Sequence, residues 1–327
     1  ASGQITGSVA KDGEYQILLW AENRHGKAEK EFCIAIGKGL ALTPPMGWNS
    51  WNAWDRSVDE DKMRSAADGL VKTGLAARGY SYVNIDSCWQ GRRGGKYNAI
   101  QPNRKFTDMG ALSNYIHAKG LKFGIYSTPW TVAWGRTDKK VLEEWGVDRL
   151  TGCSSGDPDP LYKPGSIPDG RYVGINKHEA EDVAQWVEWG VDYLKYDWCP
   201  NDPVSTERMG RVLKSANRDI LFSITNQARI EHVDVFRKWA HLWRGINDTH
   251  DTYSSVVRNA FLSRDEFYQE NWRPYVGPGA WRDLDMLPLG SLYDFSTETS
   301  CRPNRLTQDE QITNMTAWVL YPSPLML

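Results

Sequence analysis

The segment YLKYDWC, residues 193–199, poses the question that decides the fold. Aromatic and aliphatic residues bounded by Gly190 and Pro200 read as a strand entering a sheet. The run nevertheless carries Lys195 and Asp197, and unpaired charge in a buried strand is costly. Side chains two apart on a strand share a face, so these two either satisfy each other or line a site.

The pattern around this segment is strand, loop, helix, repeated from about residue 41. Strand candidates occur at MGWNSW (46–51), YVNIDSCW (82–89), KFGIYS (122–127), YLKYDWC (193–199), ILFSIT (220–225), LWRGIND (242–248), AWRDLDML (280–287) and SPLML (323–327). Helical spacings lie between them, as in Met63, Ala67, Leu70 and Val71, or Val183, Trp186, Val187 and Val191. Eight strands alternating with helices over residues 41–327 predict an α/β protein with a (β/α)8 TIM barrel as its catalytic domain. A doubly wound open sheet ranks second, because no glycine-rich GxGxxG turn follows the first strand.

Residues 1–40 read differently. GEYQILLWAENRHGKAEKEFCIAIG alternates apolar and polar positions in two runs around a turn at Asn23–Gly26, which predicts a β-hairpin. Two strands cannot hold a core alone, so this segment is expected to be the last strands of an Ig-like sandwich that begins upstream. The apolar SPLML at the other end suggests that the protein continues, so the chain is expected to be a fragment.

Composition excludes several classes. The chain has 327 residues, 40% of them hydrophobic, and a net charge of −2, with no basic run of the kind that binds nucleic acid or an anionic membrane. It holds no stretch of eighteen apolar residues and no charged-then-apolar leader. The five cysteines show no CxxC or Cys/His spacing, which argues against structural zinc and leaves room for one disulfide. Sixteen tryptophans are an unusual load, and flat amphipathic rings suit either an aromatic-rich core or a sugar-binding cleft.

In a TIM barrel the active site sits at the C-terminal ends of the strands. Polar residues cluster there: Asp86 on the second candidate, Tyr126 on the third, Lys195 and Asp197 on the fourth, Asp248 on the sixth, Asp283 and Asp285 on the seventh. One such aspartate is easily a structural acceptor. Several converging carboxylates repel and desolvate one another, which is tolerated mainly where chemistry or a polyhydroxylated ligand requires it. Two carboxylates among tryptophans match the needs of glycoside hydrolysis, one to protonate the leaving oxygen and one to attack the anomeric carbon or activate water. A metal site ranks lower because no histidine accompanies the aspartates at ligand spacing, although an all-oxygen calcium or magnesium site stays open.

LTPPMGWNSWNAW, YVNIDSCWQ, HAKGLKFGIY, YLKYDWC, LWRGIND and AWRDLDML resemble, in order, the signature segments of glycoside hydrolase family 27, the α-galactosidases and α-N-acetylgalactosaminidases. The resemblance covers residues 41–327 and implies a retaining enzyme with a (β/α)8 domain that is followed, in the family, by an antiparallel β-domain. It implies Asp197 as nucleophile, with Lys195 contacting sugar hydroxyls and keeping Asp197 ionised, and Asp248 as general acid/base with a pKa raised by nearby carboxylates. Arg244 is similar to an arginine near the 2-position, Trp51 to a hydrophobic wall against the sugar, Tyr126 to a neighbour of the nucleophile, and Asp86 to a ligand of the 4- and 6-hydroxyls. Asp285 and Met286 match a DPDM segment, with Leu284 replacing its proline, and are expected to line the site. Cys153 and Cys199 occupy places similar to a family disulfide.

Two departures bear on the sugar. Family members usually show two adjacent aspartates where this chain has Asp86 and Ser87. The loop that reads the 2-substituent is SITNQAR, which places Thr225 and Asn226 there. The expected activity is therefore a retaining exo-acting α-galactosidase without metal or organic cofactor. Other sugars of the family remain alternatives: a β-L-arabinopyranosidase, an α-N-acetylgalactosaminidase or an isomalto-glucan hydrolase. Further alternatives are a silent carbohydrate-binding barrel and, from the N-terminal segment alone, a cell-surface adhesion protein. The expected partner is an oligosaccharide or polysaccharide with a terminal galactose-like sugar, not nucleic acid or membrane. The family and the Ig-like reading together suggest a secreted or periplasmic location.

Overall fold

The structure is a computed structural model, and it describes residues 11–37, 39–130, 156–157, 176–261, 269–294, 297 and 299–327. Two compact units divide the chain, Ala1–Leu40 and Ala41–Leu327. In the first, strands Gly13–Asn23 and Gly26–Ile36 pair antiparallel along their whole length, from Gly13↔Ile36 to Asn23↔Gly26. The turn is held locally: the His25 N–H donates to Asn23 Oδ1 at 2.8 Å. Within this hairpin Leu18, Trp20 and Phe32 are exposed.

All eight barrel strands expected from the sequence are present, each within one of the candidate segments or overlapping it. They are Met46–Asn49, Tyr80–Asn84, Lys122–Ser127, Tyr193–Asp197, Leu221–Thr225, Leu242–Arg244, Trp281–Asp283 and Leu325–Met326. Every neighbouring pair is parallel and consecutive, and the eighth strand pairs with the first through Leu325↔Met46 and Met326↔Gly47. That pairing brings the last strand beside the first, which a doubly wound sheet does not do. Beyond the seventh strand, the Leu287 N–H reaches the Met326 carbonyl at 2.6 Å, so the two ends of the sheet meet and the barrel closes.

Alternation along each strand sorts its side chains. On the fourth strand Leu194 and Tyr196 point outward into the large core under the helices, whereas Tyr193 joins an interior cluster with Tyr82, Leu221, Leu242 and Trp281. Lys195 and Asp197 share the face of Tyr193 and therefore look into the barrel. The outer layer is closed by amphipathic helices, such as Glu60–Lys72 burying Met63, Ala67 and Leu70, and Glu179–Trp189 burying Val183 and Trp186. Each large apolar side chain so buried contributes about 2 kcal/mol. Aspartates start three of these helices, Asp59, Asp108 and Asp202, each accepting a hydrogen bond from the backbone N–H three residues on. Gly124, inside the third strand, lies so close to the Asn84 carboxamide that an added Cβ would fall 1.9 Å from its oxygen. No described helix is long and apolar enough to cross a membrane.

Candidate active site

A cavity of about 110 Å3 opens at the C-terminal rim of the barrel, lined by Trp51, Asn52, Asp86, Lys195, Asp197, Asn226, Arg244, Asp248, Thr249, His250, Asp285 and Met286. Its walls come from strand ends, as the fold dictates. Asp197 and Arg244 are the last residues of the fourth and sixth strands, Asn226 follows the fifth, and Asp86 and Asp285 lie just beyond the second and seventh. Trp51 opens the short helical turn after the first strand, where its N–H donates to Asn49 Oδ1 at 2.9 Å.

The charges form two linked groups. Lys195 Nζ donates to Asp86 Oδ2 at 2.6 Å. Burial works against the lysine charge, but Asp86 and Asp197 outweigh it and hold the ammonium on. Arg244, almost fully buried, is ion-paired through one Nη to Asp285 and through the other to Asp248 Oδ1 at 2.8 Å. Asp197 is different. Its Oδ1 is buried without a hydrogen-bond partner, and its Oδ2 is approached only loosely, at 3.4 Å, by the Tyr126 hydroxyl.

This arrangement reverses the expected order of acidity. Burial pushes Asp197 up to about 6, and Lys195 and Arg244 only partly offset it. At neutral pH Asp197 is still mostly carboxylate and Lys195 contributes to that, although burial dominates and the lysine's direct ion pair is with Asp86. Asp248, expected to be raised, is held below the usual carboxylate range, chiefly by the Arg244 guanidinium. Its side chain stands at the mouth, 60% exposed, so solvent partly screens that attraction. Asp283, behind the cavity, is also pushed up to about 6 by burial and by Asp285.

Three of the residues expected at the site, Ser87, Tyr126 and Thr225, are absent from the cavity lining. Ser87 is fully buried: its N–H turns back onto Asp86 Oδ1 at 2.8 Å and its hydroxyl meets the Cys88 thiol, so Asp86 faces the cavity without it. Tyr126 lies beneath Asp197, and Thr225 is a buried ladder partner of Arg244. Cys199, the described half of the expected disulfide, packs half-buried against the outer core as a small apolar group. Cys153 lies outside the described residues.

Asn52, Thr249 and His250 line the cavity without having been singled out from the sequence. Each immediately follows, or lies two residues past, a residue that was: Asn52 after Trp51, then Thr249 and His250 after Asp248. His250 carries no metal-ligand spacing in the sequence, and its place two residues past Asp248 is the local signal for it. Among the described residues no group of three or more His, Cys, Asp and Glu side chains is arranged to hold a metal ion.

Comparison with known proteins agrees with this architecture. Alpha-galactosidase A of Cellvibrio japonicus is 32% identical over 302 residues, covering 88% of this chain and 62% of its own. A structure from Bacteroides fragilis, solved as a candidate alpha-galactosidase, has a TM-score of 0.72 and 29% identity, covering 98% of this chain and 62% of that one. A β-L-arabinopyranosidase of Geobacillus stearothermophilus has a TM-score of 0.67 and 26% identity, covering 88% of this chain and 71% of its own. The chain thus spans about three fifths of the first two proteins' length. The model of the family described as alpha galactosidase A matches residues 43–166 and 165–327, and since that span takes in every barrel strand, the chain belongs to this family, within glycoside hydrolase family 27.

Proposed function

We propose that the chain is the catalytic barrel of a retaining exo-glycoside hydrolase that releases a terminal α-D-galactosyl residue, with Asp197 as nucleophile and Asp248 as general acid/base. The observation that carries this reading is that both carboxylates line one small cavity together with a cation for each group of charges and a tryptophan wall. Asp197 Oδ1, with no hydrogen bond to give up, attacks the anomeric carbon as the bond to the glycosidic oxygen breaks. Asp248 protonates that oxygen. In the second half, water attacks the glycosyl ester, Asp248 takes the water's proton, and Asp197 leaves as carboxylate. Asp86, Lys195 and Arg244 supply acceptors and donors for ring hydroxyls, and Trp51 offers an apolar face. Asn226 Oδ1, buried without a hydrogen-bond partner, is available to a substituent at the 2-position. Met286 and Asp285 complete the wall, with Tyr126 and Thr225 supporting it from behind.

The pair needs one proton, and in the free protein below about pH 6 that proton rests on the Asp197 side, because Asp197 is buried whereas Arg244 favours Asp248 as carboxylate. Reaction requires it on Asp248, so the two groups titrate as one unit. The choice of galactose follows the alpha-galactosidase relatives. The β-L-arabinopyranosidase is similar in fold, and its substrate lacks only the sixth carbon of the same ring stereochemistry. The N-terminal hairpin is read as part of an Ig-like module, and the enzyme as secreted or periplasmic, with an oligosaccharide or polysaccharide as substrate.

A panel of nitrophenyl α- and β-glycosides tests the proposal. The α-galactoside is expected to be hydrolysed fastest. Asp197→Ala should abolish all activity, whereas Asp248→Ala should spare the glycosylation rate of the nitrophenyl glycoside, read as kcat/KM, far more than that of a sugar aglycone, since a good leaving group needs little protonation. Equal losses on both leaving groups for Asp248→Ala would exclude its role as acid.

A further inference from the structure

Asp285 stands where the two halves of the acid/base arm come together. It lies two residues past the seventh strand with φ +73°, in the left-handed region that few residues other than glycine, asparagine and aspartate adopt easily. Its main chain is held on both sides. The N–H donates to Asp283 Oδ1 at 2.7 Å, and the carbonyl accepts from Trp318 Nε1 at 2.6 Å, a side chain of the last helix. With its backbone so fixed, the carboxylate has little freedom, and it is 4% exposed.

Both carboxylate oxygens are engaged within the protein. Oδ1 is ion-paired to Arg244 Nη1, and Oδ2 accepts the Thr249 N–H at 2.6 Å. These two partners flank Asp248. Arg244 stands four residues before it and grips it with its second Nη at 2.8 Å, and Thr249 is its immediate neighbour. The Thr249 hydroxyl adds a further tie to the segment before Asp285, donating to the Leu284 carbonyl at 3.3 Å. The Asp248 side chain is itself exposed at the mouth, so little packing fixes its position. What holds it is the arm on which it is mounted; the Asp285 carboxylate is the charged tie of that arm to the segment after the seventh strand, and Asn259 Nδ2 holds the Asn247 carbonyl at 3.0 Å and the Thr249 hydroxyl at 2.8 Å from the other side.

We infer that Asp285 is a positioning residue for the acid/base, acting through Arg244 and the Thr249 main chain rather than as a ligand of the sugar. The inference rests on the glycosidase reading above. A proton donor must sit within hydrogen-bond reach of the leaving oxygen, and a displacement of about 1 Å in such a group costs on the order of a hundredfold in rate. Asp285→Asn keeps the shape but removes the charge that anchors Arg244, and it leaves only one carbonyl oxygen to serve both partners. The arm loosens, and the step that suffers is proton delivery.

The experiment compares wild type and Asp285→Asn on α-galactosides with a dinitrophenyl and a sugar leaving group, or on β-L-arabinopyranosides if the panel favours those. The inhibition constant of the free sugar and the melting temperature are measured alongside. The kcat/KM of the sugar aglycone, which reports the glycosylation step, is expected to fall roughly a hundredfold and that of the dinitrophenyl glycoside by less than about fivefold, while the inhibition constant rises by less than about fivefold because Arg244 also meets ring hydroxyls. Equal losses on both leaving groups, or a rise in the inhibition constant in step with the loss, would make Asp285 a sugar ligand and overturn the inference, as would unchanged kinetics. If Asp285→Asn does not fold, Asp285→Glu keeps the charge on a longer stem, and the same split at smaller size is expected, with equal losses again overturning it. Wild-type activity that Asp197→Ala abolishes leaves the glycosidase reading standing whichever way Asp285 falls. Inactivity of the wild type on every glycoside would remove that reading, and this inference with it.

Discussion

Replacing Asp197 with asparagine is expected to stabilise the fold at neutral pH while abolishing the proposed activity. The Asp197 carboxyl is 8% exposed, one of its oxygens has no hydrogen-bond partner, and burial raises its pKa from 3.8 to about 6. It therefore binds its proton more tightly in the folded than in the unfolded chain. Stability is unaffected below the unfolded value, declines as pH rises between the two, and stays reduced above the folded one. A shift of about two units at about 1.4 kcal/mol each sets that reduction at about 3 kcal/mol. Asparagine has the same shape and no charge, so it escapes the penalty, but its own amide finds few partners there, which returns about 1 to 2 kcal/mol. The net gain of about 1 to 2 kcal/mol corresponds to a rise of a few degrees in melting temperature for a domain of this size. Calorimetric melts of wild type and Asp197→Asn at about pH 7.5 and about pH 4 measure it. The variant should melt higher at the first pH, and the advantage should vanish or reverse at the second, where wild-type Asp197 is protonated. An equal difference at both values, or a less stable variant near neutrality, would refute the claim that the buried charge is a liability.

Because the carboxylate pair must carry one proton, kcat/KM should fall as pH rises through about 6, where Asp197 ionises; a plateau extending to about pH 8 would show that the pair does not share its proton as described. Ser87→Asp should not raise activity on an α-galactoside, although the motif resemblance alone suggests that it would. The position is fully buried beside Asp86, so a second carboxylate there should lower stability by about 3 kcal/mol, and a variant that melts like wild type with faster turnover would show that the side chain reaches the sugar.

The eight strands were legible because their signal is local. A short aromatic or aliphatic run bounded by turn residues reads as a strand whatever surrounds it, and KFGIYS, residues 122–127, matches its strand residue for residue. Alternation likewise placed Lys195 and Asp197 on one face, barrel geometry carried Asp86, Asp248 and Asp285 to the same rim, and the family resemblance added Arg244. What could not be read was which charge meets which. Lys195 pairs with Asp86 across 109 residues, and Arg244 with Asp285 across 41. The sequence neighbour of Lys195 two positions on, Asp197, is left without an ion pair of its own, and its acidity follows from burial that no local pattern encodes. The same holds for Ser87, whose burial depends on how the chain turns after the second strand, and for Cys199, whose thiol packs into the core. Periodicity is a property of consecutive residues and survives in one dimension; ionisation and hydrogen bonding depend on distance and solvent exclusion, which exist only once the strands have closed into a barrel.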